Sequence, residues 1–318
     1  MFRVQSTVEI VNTFEKHNNL NSVLCTLYSH TQRKLVTPLT TLYSVMNTLL
    51  PFECFELDFM KRGLLAILLL TPLLALLGTM AVNRRMAFFS DALGHSALAG
   101  VGLGMLLGIQ NQLISMIIFG IVWAVMISRI NRTGGASADT IISVFSSTGI
   151  AAGLLILSRN GSFAKYSSLL AGDIVSVPEG DLLWLLLALP LGIAAWALLY
   201  NRLLLTAVNP ALAQSRGVNT KWVEYAFVSL VAVVVMLSIR WVGVLLINAL
   251  LILPAAAARN VSRTAAQHAL FSVLIGLFCG VAGLVASYYL ENTGAGAAIV
   301  LCAAACYAVT LPLRAKAK

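Results

Sequence analysis

Long apolar segments alternate with short polar ones over most of the chain, and this alternation predicts the architecture. Nine apolar runs follow residue 62, each close to the ~20 residues that a helix needs to cross the hydrocarbon core of a bilayer. They cover approximately residues 63–82, 87–109, 112–128, 140–158, 182–200, 224–239, 241–258, 268–290 and 295–312. The pattern predicts an all-α, polytopic membrane protein with about nine transmembrane helices. The limits of the second and seventh runs are the least certain, because these two runs contain polar or helix-breaking residues.

The composition agrees with a membrane protein and excludes a soluble domain. Hydrophobic residues make up 59% of the 318 residues, charged residues make up 10%, and the mean hydropathy is +0.89. A soluble domain carries about 25% charged residues. The net charge of +9 does not indicate nucleic-acid binding, because the basic residues are scattered at the ends of the apolar runs. The five cysteines form no Cys-x-x-Cys pair, which favours buried free thiols.

The positions of lysine and arginine predict the orientation. Basic residues concentrate in cytoplasmic loops of membrane proteins, and nine helices place the two ends of the chain on opposite sides. With the C-terminus inside, twelve basic residues are cytoplasmic and five are external. The twelve are Arg84, Arg85, Arg129, Arg132, Arg202, Arg216, Lys221, Arg259, Arg263, Arg314, Lys316 and Lys318. The sequence therefore predicts a cytoplasmic C-terminus.

The first 45 residues differ from the rest of the chain. They are polar and show neither an apolar period nor the pattern of a secretory signal peptide. We therefore divide the chain into a polar extension, 1–45, and a transmembrane domain, 46–318. Two interpretations of the extension stay open: a disordered tail, or an over-extended reading frame in which Met46 is the biological start.

The second run contains an ionisable pair, Asp91 and His95. A charge at bilayer depth is costly, so it usually faces a cavity or a partner and marks function. Residues four apart share one helix face, so these two side chains can hold one ion or proton between them. Carboxylate and imidazole suit Zn²⁺ or Mn²⁺, although two ligands are few and two symmetric copies would give four. The alternative is a buried polar pair with a structural role.

The opposite side of the same run is predicted to pack against a neighbouring helix. Gly100, Gly104 and Gly108 recur every four residues. Small residues at this spacing allow close approach of helices in lipid.

The seventh run carries Asn248 and Pro254. A proline removes the hydrogen bond to the carbonyl four residues earlier, here Leu250, and Asn248 lies half a turn from that carbonyl. Broken helices of this kind bind ions in transporters. A proline kink with a purely structural role is the alternative.

A long polar loop between the fifth and sixth runs predicts a short helix on the cytoplasmic surface. Asn209 suits an N-cap, Pro210 suits the first helical position, and Gly217 suits a helix end. An ordinary capped loop is the alternative.

Two further residues, Asp173 and His268, are given no functional role. Asp173 belongs either to an entrance or to a turn, and His268 is expected to be solvated at the membrane interface.

The chain lacks the common motifs of nucleotide binding and hydrolysis. It contains no Gly-Lys dipeptide and hence no P-loop, and neither His-Glu-x-x-His nor Gly-x-Ser-x-Gly occurs. If transport is driven by ATP, the chain is expected to be a transport subunit and not an enzyme, and another chain must bind and hydrolyse the nucleotide.

Four segments resemble the bacterial zinc/manganese ABC transporter permeases. The first reads Asn-Arg-Arg-Met-Ala-Phe-Phe-Ser-Asp-Ala-Leu-Gly-His-Ser-Ala-Leu at 83–98, and the second reads Leu-Ala-Gly-Asp at 170–173. The loop at 209–217 and the segment 242–259 match as well. The resemblance keeps the order and spacing of all four segments and extends from Pro51 to the C-terminus. Within the family, the sequence as a whole most resembles the zinc-uptake permease.

This resemblance implies the ABC importer permease fold and an assembly in the bacterial inner membrane. It implies a homodimer, a cytoplasmic ATP-binding subunit and an extracytoplasmic metal-binding protein. Asp91 and His95 would line the metal path, and the loop with Asn209, Ala213 and Gly217 would dock on the ATPase. Asn248 stands where relatives often have Ser or Thr, so its role as a metal residue is left open. No permanently bound cofactor is implied, since the Zn²⁺, Mn²⁺ or Fe²⁺ ion is cargo.

Two other classes of function are weighed against this expectation. An ion-coupled secondary transporter of a metal or small cation would need no ATPase and usually shows internal repeats, of which the sequence shows none. A membrane scaffold or enzyme would use Asp91 and His95 for proton chemistry.

Overall fold

The structure is a computed structural model that describes residues 57–109, 111–159, 161, 163–166, 179–290 and 293–314. Within these ranges all regular secondary structure is helical. The predictions for residues 1–45 and for Asp173 lie outside the described residues.

Nine long and two short helices make up the described chain. In order they are α1 (Asp58–Asn83), α2 (Phe89–Leu106), α3 (Gln112–Asn131), α4 (Ala138–Arg159), α5 (Phe163–Tyr166), α6 (Glu179–Val208), α7 (Pro210–Ser215), α8 (Thr220–Val242), α9 (Val244–Val261), α10 (Ala265–Tyr289) and α11 (Ala295–Arg314).

Each predicted apolar run corresponds to one long helix, so the prediction of about nine transmembrane helices is confirmed. Eight of the nine are long and apolar enough to cross a membrane. The remaining long helix is α2, whose hydropathy is reduced by Asp91, His95 and several glycines.

The predicted boundary between the sixth and seventh runs is wrong by a few residues. Helix α8 continues to Val242, so Trp241 belongs to it and not to the following helix. The break falls at Gly243, whose φ of +81° is a conformation that residues with a side chain rarely adopt. The next helix, α9, then runs without interruption through Pro254.

Helices α1 and α9 pack almost backbone to backbone. A Cβ atom added to Gly78 of α1 would lie 1.7 Å from the carbonyl oxygen of Leu251 in α9. Leu74 and Leu77 of α1 have no exposed surface. This contact fixes α9 beside a largely buried helix.

Gly100 and Gly104 of α2 pack against a neighbouring helix, as predicted, and this neighbour is α3. A Cβ on Gly104 would lie 2.4 Å from Ser115 Oγ, and this hydroxyl donates a 2.6 Å hydrogen bond to the Gly100 carbonyl. The packing role predicted for Gly108 is wrong. Gly108 follows the end of α2 with φ +71° and nothing near its Cβ position, so it ends the helix.

Candidate functional site

Asp91 and His95 lie one turn apart at the beginning of α2. Asp91 is in the first turn, where the free N–H groups and the helix dipole favour a negative charge. The Nε2 atom of His95 is 3.3 Å from Asp91 Oδ1. The Asp91 side chain is 42% exposed and that of His95 is 31% exposed. The predicted shared face is therefore confirmed, and the pair is open on one side of the single chain.

Asn248 joins this pair from α9. Its Nδ2 donates a 2.8 Å hydrogen bond to Asp91 Oδ1, the same oxygen that faces His95. The approach depends on Gly94, because a Cβ there would lie 2.5 Å from Cγ1 of Val244. The structure thus brings together all three residues that the sequence singled out for the metal path. We call Asp91, His95 and Asn248 the polar triad.

The spacing of the two candidate ligands fits a tetrahedral ion. Two ligands at roughly 2.0–2.1 Å from a tetrahedral zinc ion are about 3.3 Å apart. The separation between Asp91 Oδ1 and His95 Nε2 has this value without any rearrangement. Among the described residues no third His, Cys, Asp or Glu completes the group. The pair can therefore supply two ligands of an ion.

Pro254 does not create a broken helix. Helix α9 extends on both sides of it, and Leu250 has no exposed surface. His268 is 4% exposed, with Nε2 2.9 Å from the carbonyl oxygen of Ala255. The expectation of a solvated His268 is therefore wrong. The position of His268 near the start of α10 suggested the membrane interface. The residue is buried because α10 packs against α9, and this packing cannot be read from the local sequence.

The loop between α6 and α8 forms the predicted short helix, α7. The Asn209 side chain accepts hydrogen bonds from the backbone N–H groups of Ala211 and Leu212, and Pro210 begins the helix. Gly217 ends it with φ +74°. Ala213 is fully buried, so its side chain faces the bundle and not a partner. The outward side instead presents Leu212, which is 42% exposed.

A polar network near α7 was missed by the sequence analysis. Arg132 Nη1 lies 3.0 Å from Glu224 Oε2, and Ser128 Oγ donates a 2.7 Å hydrogen bond to the other carboxylate oxygen. Arg84 donates to the Thr206 hydroxyl. The charges at the helix ends were used only to predict orientation. Their pairing across helices depends on the packing of α3 against α8.

An open cavity of about 620 Å³ is lined by four of these residues, Arg84, Arg132, Thr206 and Glu224. Its charged lining residues are Arg84, Arg85, Arg132, Glu224 and Arg259. Burial lowers the pKa of Arg84, and the nearby Glu224 carboxylate acts in the opposite direction. The cavity reaches Pro210 and Gln214 of α7. This end of the bundle is therefore positively charged beside the short helix.

The sequence and the fold are similar to those of known proteins. A sequence model of the ABC 3 transport family matches residues 56–313. The chain is 30% identical over 259 residues to the high-affinity zinc uptake system membrane protein ZnuB of Haemophilus influenzae, covering 81% of this chain and 97% of that protein. It is 30% identical to the manganese import system permease protein ScaB of Streptococcus parasanguinis, covering 80% and 90% of the two chains. The solved structure of PsaBC from Streptococcus pneumoniae in complex with Fab superposes with a TM-score of 0.70 at 27% identity, over 80% of this chain and 91% of that chain.

Proposed function

Because the chain belongs to the ABC 3 transport family, we propose that it is the membrane permease of an ATP-driven importer of a divalent transition metal. Zinc is the first candidate, and manganese and iron are the others. The match extends over nearly the whole of relatives named for zinc and manganese uptake. The observation that carries the proposal is the polar triad, with a carboxylate and an imidazole at tetrahedral spacing on an otherwise apolar helix.

Asp91 and His95 act as ligands along the path of the ion. The carboxylate lowers the barrier for a dication, and the imidazole favours transition metals over Mg²⁺ and Ca²⁺. Each chain supplies an incomplete shell, so two copies related by a twofold axis would present four ligands. An incomplete shell suits transport, because a site on a path must bind weakly enough to release its cargo.

The importer requires partners that this chain does not supply. A cytoplasmic ATP-binding subunit hydrolyses ATP, since the chain itself has no P-loop. Helix α7 docks on that subunit through its outward side, where Leu212 is exposed. An extracytoplasmic protein delivers the metal, and a second copy of this chain completes the path. In this proposal the C-terminus is cytoplasmic, and the count of basic residues supports that orientation.

Metal uptake in a complemented deletion strain tests the proposal. Cells that express this chain with its ATPase should accumulate zinc in preference to manganese or iron. Asp91→Ala and His95→Ala should each abolish uptake while the amount of assembled complex in detergent stays normal. A well-assembled Asp91→Ala or His95→Ala complex that transports at the wild-type rate would contradict the path.

A further inference from the structure

We infer that Asn248 is a positioning residue, which holds the Asp91 carboxylate in the orientation that binds the ion and does not itself ligate the metal. This inference rests on the proposed function, in which Asp91 and His95 bind the cargo. Metal-ligating carboxylates are commonly oriented by hydrogen bonds from neighbouring groups. Asn248 makes such a bond, at 2.8 Å, from a different helix.

The orientation of the Asn248 amide separates a positioning role from a ligand role. The group that faces Asp91 is the Nδ2 donor, and an amide nitrogen that carries two protons offers no lone pair to a metal. The amide oxygen would repel the carboxylate if it took this place. The Oδ1 atom is instead buried and has no hydrogen-bond donor among the residues that the structure describes. The ligating atom of the amide is therefore enclosed, whereas the donor reaches the site.

The enclosed oxygen also shows that Asn248 is a poor choice for stability alone. A buried carbonyl oxygen without a donor costs free energy, and a leucine, which has the same number of side-chain heavy atoms and the same branching at Cγ, would avoid this cost. The loss of the amide would leave Asp91 Oδ1 with His95 and solvent, because the Asp91 side chain is partly exposed. The fold therefore does not require the Asn248 amide. The amide is required only to hold the Asp91 carboxylate in a fixed orientation.

The hydrogen bond has a definite consequence for the carboxylate. Asp91 Oδ1 faces both Asn248 Nδ2 and His95 Nε2. With Oδ1 held by α9, the side chain of Asp91 cannot rotate freely, and its distance to His95 stays at tetrahedral spacing. Without the amide, the carboxylate samples several orientations and pays an ordering cost when the ion arrives.

Zinc binding to the purified complex of this chain with its ATPase tests the inference. The dissociation constant for Zn²⁺ is measured by competition with a chelating dye, in wild type, Asn248→Leu, Asp91→Ala and the double variant. Asn248→Leu should assemble normally and denature at no lower temperature, yet bind zinc about 10–100-fold more weakly. The double variant should bind like Asp91→Ala, because Asn248 acts through Asp91.

A matched control is available on the same helix. Asn260 donates a 3.2 Å hydrogen bond from Nδ2 to the Thr310 hydroxyl, far from the triad. Asn260→Leu is the same type of substitution in the same helix, α9, and it should leave the zinc affinity unchanged. A reduced affinity in this control as well would show a general effect of polar loss in α9 and would overturn the inference.

The other outcomes are distinct. Wild-type affinity in Asn248→Leu would overturn the positioning role. A double variant that binds more weakly than Asp91→Ala would make Asn248 a direct ligand. If Asn248→Leu does not assemble, the smaller Asn248→Ser is measured in its place, and failure of both variants to assemble would make the residue structural. Wild-type affinity in Asp91→Ala would instead refute the proposed path itself.

Discussion

Gly94 in α2 and Val244 in α9 are in such close contact that no side chain fits between them. A Cβ on Gly94 would lie 2.5 Å from Cγ1 of Val244, far inside van der Waals contact. The polar triad is adjacent to this point, since Asp91 and Asn248 are each about one turn away along their helices. The distance between the two helices therefore decides whether Asn248 can reach Asp91.

A methyl group at Gly94 should weaken the site without removing any of its residues. We expect Gly94→Ala to push α9 away from α2 and to lengthen the bond between Asn248 and Asp91, so that metal uptake falls several-fold. Val244→Ala in the same chain removes the clashing methyl groups and should restore uptake. The measurement is uptake per assembled complex.

Gly135→Ala is the control for this experiment, because nothing lies near its Cβ position. It should transport normally. If Gly94→Ala also transports normally, or if Val244→Ala gives no recovery, the close contact does not set the geometry of the triad.

The outward side of α7 should matter for coupling to ATP hydrolysis. Leu212 is exposed, whereas Ala213 on the same helix is buried in the bundle. We expect Leu212→Asp to leave the permease folded but to weaken its association with the ATPase, because a charge replaces an apolar contact. Co-purification and metal uptake measure the two effects.

Ala213→Asp separates docking from folding. A carboxylate at this fully buried position would have no partner prepared for it, so the amount of folded permease itself should fall. Normal co-purification and uptake in Leu212→Asp would remove the docking role of this surface.

Glu224 should stabilise the end of the bundle near α7. It accepts hydrogen bonds from Ser128 and Arg132, and the pair with Arg132 is mostly shielded from solvent. We expect Glu224→Ala to lower the free energy of unfolding by about 1–3 kcal/mol, since it leaves the Arg132 guanidinium and the Ser128 hydroxyl without their acceptor. Thermal denaturation in detergent checks this.

Arg132→Ala supplies the second corner of a double-mutant cycle. The double variant should be more stable than the sum of the two single effects predicts, because the removed groups are partners. Strict additivity would show that the ion pair contributes nothing.

Gly243 should tolerate no side chain. Its φ of +81° with ψ of +163° lies in a region that is essentially restricted to glycine. We expect Gly243→Ala to cost about 1–3 kcal/mol and to disturb the start of α9. The amount of folded protein and its thermal midpoint measure the effect. An unchanged midpoint would show that the turn between α8 and α9 adapts readily.

The long helices could be predicted from the sequence because bilayer thickness sets their length and lipid sets their composition. The pairing of Asp91 with His95 followed from helical spacing. The bond between Asp91 and Asn248 could not be predicted, since it joins residues 157 positions apart and depends on the contact at Gly94. The burial of His268 and Ala213 was missed for the same reason. The spacing of residues along one helix determines which side chains share a face. Which neighbouring helix covers that face depends on the packing of the whole bundle.

The backbone contact between Gly78 and Leu251 has a consequence for how the bundle can move. With no side chain between them, α1 and α9 have little freedom to shift separately, and Asn248 is one turn from this contact. A hydrogen bond of 2.8 Å is lost once its atoms separate by about another 1 Å. Sliding of α1 along α2, with α9 following α1, therefore breaks the bond that orients the Asp91 carboxylate. In the proposed path, the geometry of this ligand depends on the register of α1 against α2.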